Sequence, residues 1–400
     1  MKRVLLVGCG AEIGASLLAM NDPSRDGFSI DTILTRSIEP DAHNPHLKPL
    51  DSLYARIVLA QPQMLDEVKV CHERDTLMIR GREIRVYFGE SETANVGDLG
   101  GPFDVCILAT SKKQIGTPAL TERFLYSARY VIGVAEAPGI PALYANLIGV
   151  ARHLLPNPPR AIGNHRIFCL GSCQSNGWHA QLRALLDMAS RYQLTFDMRG
   201  TEIDIVHPDT PTGRLGTHSV EARSQDPRNN FRPSFSQIEQ SMRLLFPQGH
   251  HVHTVSLRTL TMPPGYQISR FYFSYAHPEG KRLNRQDILD SFEETAREYP
   301  DTLRLAHVPL GSRGFEASES SAIMLAGEHY LRFVHDPFQQ GGSSVLCELI
   351  AQCYVHNVRG YCRSVLNTIR LLTQDANPLA FFPVEAPATL TAVPSHVISV

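Results

Sequence analysis

The stretch "FCLGSCQSNGWHAQLRALLDMAS", residues 168–190, sets a small cysteine-bearing turn between an apolar run and a sequence of helical periodicity. A thiol on a turn that opens a helix gains thiolate character from the free N–H groups and the dipole at the helix start. Cys173 is therefore the candidate nucleophile, and a nucleophilic thiol needs a base within reach. His207 is the best placed, because it closes the run "TEIDIVH" and opens "HPDTPTG", so it projects from a strand end into a loop. His250, His251 and His253 in "GHHVHT" are rivals, but they sit at a strand start where alternating exposure explains them. For Cys173 itself the bland alternative is a structural thiol, the ordinary role of a lone cysteine.

A second constellation lies at the N-terminus. In "GCGAEIG" the glycines at 8, 10 and 14 have the spacing GxGxxxG, one residue longer than the dinucleotide fingerprint. Gly8 permits a tight turn, Gly10 lets backbone approach a pyrophosphate, and the helix that follows offers free N–H groups. Ile13 and Gly14 inside the turn, and Thr110 closing "FDVCILAT", complete the expected cofactor contacts. The second strand, "DTILTRS", ends without the acidic residue that binds an NAD ribose; Arg36 there suits a 2′-phosphate. NADP is the favoured cofactor, with NAD possible, against the plain reading of Arg36 as a solvated arginine.

Both constellations need elements to hold them. "KRVLLVGCGAEIGASLLAM" reads as strand, Gly-rich turn and helix, with "FSIDTILTRS" a second strand where a βαβ unit would place it. "TLMIRG" and "REIRVYFGES" flank a turn at Arg80-Gly81 as a hairpin, and "FDVCILAT" and "ARYVIGVAEAP" are further buried strands around the helix-like "PALTERFLYSA". Strands alternating with helices imply an α/β fold, a Rossmann-type doubly wound parallel sheet over residues 1–171. Beyond "LLPNPPRAIGN" the long strands "YQLTFDMRGTEIDIVH", "HHVHTVSLRTLTM" and "YQISRFYFSYAHP" point to an α+β catalytic domain over 172–335 with a mixed or antiparallel sheet. "SSVLCELIAQCYVHNVRGYCRSVLNTIRLL", within 336–400, is expected to be a closing helix that packs back on the first domain, followed by an irregular tail.

Composition narrows the function classes. Thirty-eight basic and forty acidic side chains leave a formal net charge of −2, with no polybasic run, so nucleic acid and anionic membrane are not expected partners. No apolar run approaches the ~18 residues of a membrane span. Eight cysteines without the dense spacing of a secreted disulfide scaffold fit a reducing cytoplasm. Cys347, Cys353 and Cys362 lack zinc-site gaps, and no metal is expected.

The ordered pieces resemble the glyceraldehyde-3-phosphate dehydrogenase family. "GSCQSNG" resembles its S-C-T-T-N signature and "VHPDT" its V-H-A-Y-T strand end; "DTLMIRGREIRVYFGES" is similar to its D-G-L-V-V-N-G-K-K-I-K-V hairpin and "ARYVIGVAEAP" to K-K-V-V-I-S-A-P. "RNNFRPSFSQIEQSM" is similar to R-A-A-A-Q-N-I-I-P-S-S-T-G, and "LRTLTMP" to F-R-V-P-T-P. The resemblance implies that Cys173 attacks an aldehyde, that hydride passes from the thiohemiacetal to a nicotinamide, and that an acyl thioester remains; run backwards, it reduces an acyl phosphate. It implies His207 as base, the Cys173 N–H as oxyanion donor, and Ser172, Asn176, Thr210, Ser236 and Arg258 as substrate and anion contacts, in a homotetramer or dimer. The departures are Gln174 for the family's first Thr, Gln237 for a Gly, and "HDPFQQGGSS" aligned with Y-D-N-E-x-G-Y-S, which puts Pro337 where the family has an Asn. They point to a specialised paralogue with another substrate. The alternatives are an aspartate-semialdehyde-dehydrogenase-like acyl-phosphate reductase and a non-catalytic scaffold on a dehydrogenase fold.

Overall fold

The structure is a computed structural model; it describes every residue except 11, 38–45, 138, 156–164, 209–231, 235, 237, 247–249, 260, 337–343 and 375–400. The expected tail and the "HDPFQQGGSS" loop from Pro337 onwards thus lie largely outside the described residues.

Strands β1 (Lys2–Val7), β2 (Phe28–Thr35), β3 (Val68–Cys71), β4 (Thr76–Ile79), β5 (Arg82–Phe88), β6 (Phe103–Leu108), β7 (Ala128–Gly133) and β8 (Ile167–Cys169) form one sheet, ordered β3-β4-β5-β2-β1-β6-β7-β8. Six of them run parallel, while β3 and β4 make antiparallel pairs at the edge; the β4–β5 hairpin turns at Arg80 and Gly81, both at positive φ. Parallel strands covered on both faces need continuous apolar runs, and β1 supplies "VLLV". Val4 and Leu6 join one core, with α1 (Glu12–Met20) and α3 (Pro49–Ala60); Leu5 and Val7 join another on the opposite face. Each such side chain contributes about 1.5–3 kcal/mol on burial. Helices α2 (Pro23–Asp26), α4 (Lys112–Ile115) and α5 (Pro118–Arg123) complete this half.

Helix α6 (Cys173–Arg191) leads to the second sheet, built from β9 (Thr195–Pro208), β10 (Arg232–Ser234), β11 (His251–Thr259), β12 (Gly265–Ala276), β13 (Leu303–Ala306), β14 (Ala322–Leu325), β15 (Leu331–His335) and β16 (Val345–Val355). It is mixed: β9–β11 and β13–β14 are parallel and the other pairs antiparallel. Helices α7 (Ile238–Leu245) and α8 (Arg285–Glu298) belong to this half. The core on the Leu5 face of the first sheet runs without a break through α6 into Phe271, Leu349 and Val355 of the second.

The C-terminal reading needs correcting. "VLCELIAQCYV" is strand β16, and only α9 (Arg359–Thr373) is helical. The deciding pattern is period two: Cys347, Leu349, Ala351, Cys353 and Val355 are buried and the residues between them are not. The second sheet therefore extends to Val355, past the boundary expected at 335. Helix α9 returns to the first half, where Tyr361, Cys362, Val365, Leu366 and Ile369 enter the core shared with α1.

Candidate active site where the two sheets meet

Strand β8 ends at Cys169, and three residues later the chain turns into α6. Ser172 is the N-cap, in extended conformation, and its Oγ accepts from the Ser175 N–H at 3.1 Å. Cys173 is thus the first helical residue, half-buried, at the carboxyl edge of the first sheet. His207 arrives from the end of β9, with its Nε2 3.7 Å from Cys173 Sγ. A third group completes the cluster: Asn357, between β16 and α9, donates from Nδ2 to the sulfur at 3.3 Å and lies 3.4 Å from His207 Nε2. Its Oδ1 accepts from the Gly265 N–H at 2.9 Å, which fixes the amide orientation.

The imidazole tautomer follows from its neighbours. Nδ1 is 2.5 Å from the Pro208 carbonyl, which only accepts, so Nδ1 carries the proton and Nε2 offers a lone pair to the thiol. Arg258 pairs in register with His207 across β9 and β11, and its Nη1 stands 3.4 Å from Nδ1. Burial pushes the Cys173 thiol above its ordinary value, and the Asn357 donor and the Arg258 charge offset only part of that. At rest the sulfur is a thiol beside a basic nitrogen. Removing the Asn357 donor leaves the burial effect less opposed, so Asn357→Ala is expected to shift the pH profile of Cys173 alkylation further upward. Iodoacetamide rates against pH, with the variant superposing on wild type as the contrary result, check this.

The other cysteines differ in kind. Burial pushes Cys9, Cys169 and Cys347 to about 12 and raises Cys106, Cys353 and Cys362 as well. Cys71 is the exception: its thiol is lowered by a hydrogen bond from Arg74 at the surface. Sequence spacing did not single it out.

The remaining expected contacts divide. Asn176 is buried and tied into the protein: its Oδ1 accepts from Asn146 and from Ser364, each at 2.8 Å, and its Nδ2 donates to Ser321 at 2.8 Å. That makes it an anchor of the helix start. Gln174 likewise turns inward, accepting from Gln267 Nε2 at 2.6 Å. Ser236 accepts from the Ile238 N–H, the first of α7, at 3.3 Å. Thr210, Gln237 and Pro337 lie outside the described residues. Asn357 is not among the expected contacts, yet the sequence carries a signal for it: "HNVRGY" keeps the N-x-x-G-Y spacing of the family segment Y-D-N-E-x-G-Y-S. The structure puts that asparagine at the thiol.

A cleft of about 660 Å³ opens at the same carboxyl edge, around the ends of β1, β2 and β6, where the strand order changes direction. Gly8 has φ +90, and a Cβ there would meet the Ala109 carbonyl at 2.5 Å; one on Gly14 would meet the Gly8 carbonyl at 2.1 Å. Those two glycines are required by the turn and by the packing of α1 on β1. Gly10 is different, since its Cβ would touch nothing closer than 3.7 Å, so the space beside it belongs to the cleft. Thr110 lines the cleft with a buried Oγ1 that has no hydrogen-bond partner. Ile13, in the first turn of α1, packs its side chain toward the core and accepts at its carbonyl from the Cys362 thiol at 3.7 Å. Arg36 lines the mouth and pairs with Glu90 at 2.6 Å. Arg56 from α3, missed in the sequence, donates to the Gly10 carbonyl at 2.5 Å and brings a second guanidinium to the cleft.

Room at Gly10, an unpartnered hydroxyl at Thr110 and two arginines fit an anionic, dinucleotide-like group. Among the described residues no cluster of His, Cys, Asp and Glu suits a metal ion, and no helix is long and apolar enough to cross a membrane. No family model matches the chain, and no curated protein matches it.

Proposed function

We propose that the protein is an NAD(P)-dependent oxidoreductase acting on an aldehyde or an acyl phosphate, with Cys173 as nucleophile and His207 as base. The observation that carries this reading is the grouping of Cys173 Sγ, His207 Nε2 and Asn357 Nδ2 within 3.7 Å of one another, delivered by three separate segments. In it, His207 Nε2 takes the thiol proton as sulfur attacks a carbonyl carbon. The thiohemiacetal oxygen then lies against the start of α6, where the Cys173 N–H and its neighbours favour negative charge. His207 gives that proton to the oxygen as the thiohemiacetal forms, takes it again as the carbonyl re-forms into a thioester, and later passes it to the departing group. Arg258, beside the histidine, is placed to hold an anionic group of the substrate. A bound nicotinamide supplies the hydride acceptor or donor. Gly10, Thr110, Arg36 and Arg56 would hold its dinucleotide, and the strand order around β1 supports a Rossmann-type, doubly wound reading of this half.

Arg36 also supports NADP over NAD, with a condition that Glu90 imposes. A 2′-phosphate must displace the Glu90 carboxylate from the guanidinium. Reduced-nicotinamide fluorescence should show NADPH binding that Arg36→Ala weakens about tenfold, the worth of a charge-assisted hydrogen bond. Glu90→Gln is expected to strengthen it, with NADH little affected by either. If neither nucleotide binds, the dehydrogenase reading fails and a scaffold role takes its place.

A further inference from the structure

Behind the Cys173 turn runs a line of hydroxyls that the reaction proposed above does not use. Glu136, fully buried beyond the end of β7, accepts from Tyr144 Oη at 2.6 Å and lies 2.5 Å from Ser241 Oγ on α7. Ser241 Oγ is 2.9 Å from Ser175 Oγ, and Ser175 Oγ is 2.9 Å from Ser172 Oγ. Ser241 and Ser175 are buried completely, whereas Ser172 is partly exposed beside Cys173. The chain joins a carboxyl group in the interior to the edge of the candidate active site.

Its polarity is fixed by counting protons, because each hydroxyl donates only once. With Glu136 ionised, Ser241 donates to the carboxylate, Ser175 to Ser241 and Ser172 to Ser175. Ser172 then shows only a lone pair to its exposed side. With Glu136 protonated the direction reverses: the acid donates to Ser241, Ser241 to Ser175 and Ser175 to Ser172. The Ser172 proton is then free to point outward. Tyr144 and the Ser175 N–H donate in both states, so neither blocks the reversal.

We propose that Glu136 is a positioning residue that sets whether Ser172 offers a donor or an acceptor beside Cys173, so that an anionic substrate group is favoured when Glu136 holds a proton. The proposal rests on the reading of Cys173 as a nucleophile with a partner that carries negative charge. Burial raises Glu136 to about 7, against the hydrogen bonds of Ser241 and Tyr144 and the charge of Lys112. The groups that face it are Lys112 on α4, Tyr144, Cys169 at the end of β8, Tyr361 on α9, and, with its ring tilted against that of Tyr144, His179 of α6. Burial keeps Tyr144, Cys169 and Tyr361 in their neutral forms by pushing them up, and keeps His179 neutral by pulling it to about 3. Glu136 is therefore the member of this group whose charge changes near neutral pH.

The test compares alkylation of Cys173 by anionic iodoacetate and by neutral iodoacetamide as pH varies, in the full chain carrying Cys71→Ser. The thiolate fraction cancels in the ratio of the two rates, which leaves the preference of the site for an anion. The expected result is a fall in the ratio of about tenfold, the worth of one charge-assisted hydrogen bond, as pH rises through neutrality. Glu136→Gln should remove that step and hold the ratio at its acid value, because the amide donates to Ser241 as the protonated carboxyl does. Ser241→Ala should remove the step by cutting the chain. A step due to His207 would survive in both variants, so a profile unchanged by Glu136→Gln overturns the proposal, as does a flat wild-type profile. Infrared pH-difference spectra of wild type against Glu136→Gln read the carboxyl directly, even if Cys173 reacts with neither reagent. Absence of a carboxylic-acid band that disappears across neutral pH also overturns it. Nucleotide binding that persists with no Glu136-dependent step would leave the oxidoreductase reading intact and remove this one.

Discussion

Replacing Cys173 with alanine in a Cys71→Ser background is expected to abolish the burst of nitrophenolate released when the protein meets p-nitrophenyl acetate. The ester transfers an acyl group to any competent thiolate, so the assay needs neither the natural substrate nor the cofactor. Cys71 must be removed first because its Arg74 hydrogen bond lowers its pKa and it would acylate on its own. The six remaining cysteines are held back by burial. Complete loss of the burst is therefore the result for Cys173→Ala. His207→Ala should keep the burst amplitude and slow it by about 10²–10⁴-fold, the usual worth of a positioned base. Because the thiol is raised by burial, the residual rate in that variant should climb with pH through and beyond the ordinary thiol range near ~8.5. A burst untouched by Cys173→Ala would place the reactive thiol elsewhere and end the mechanism proposed here.

The largest expected loss of stability comes from Arg363→Ala on α9. Its guanidinium, 2 % exposed, donates at 2.9 Å both to Asp26 on α2, itself 1 % exposed, and to Glu319 before β14. Asp26 also accepts from Asn21 Nδ2 and from the Asp22 N–H, each at 2.9 Å, so it cannot turn away to water when the arginine is lost. Breaking a buried pair by removing one partner costs about 3–5 kcal/mol, because the other charge stays buried. Urea unfolding, followed by fluorescence of Trp178, the single tryptophan and fully buried, measures this directly. Asp26→Asn combined with Arg363→Met should recover part of the loss. A cost below about 1 kcal/mol would mean that solvent screens the network as it screens surface pairs.

Much of the candidate site's geometry was legible because it depends on local spacing. The Gly-rich turn needs a strand before it and a helix after it, and "KRVLLVGCGAEIGASLLAM" declares both; the N-cap and first turn around Cys173 are written in "GSCQSN". His207 could be found because a strand end is a local pattern. What escaped depends on partners far away in the chain. Asn357 reaches Cys173 across 184 residues, Arg56 reaches Gly10 across 46, and Asn176 turns out to be an anchor only once Asn146, Ser321 and Ser364 are seen around it. The helix expected over 343–372 is strand in its first part for a different reason. A short apolar run with alternation fits either element until neighbouring strands exist to pair with it, and β12 and β15 decide the matter for β16.

The anchoring of Asn176 also bears on when during folding the thiol becomes special. Its amide joins contacts 30, 145 and 188 residues apart, which no local collapse can assemble. Contacts of such separation carry the loop-closure entropy that makes them form slowly. A chain with both sheets formed but α9 not yet docked lacks Ser364 at the start of α6, and Asn176 there is without one of its three partners. On the proposed mechanism, full reactivity at that sulfur is expected only in the completed chain, so the rise of Cys173 alkylation during refolding should track the docking of the last helix.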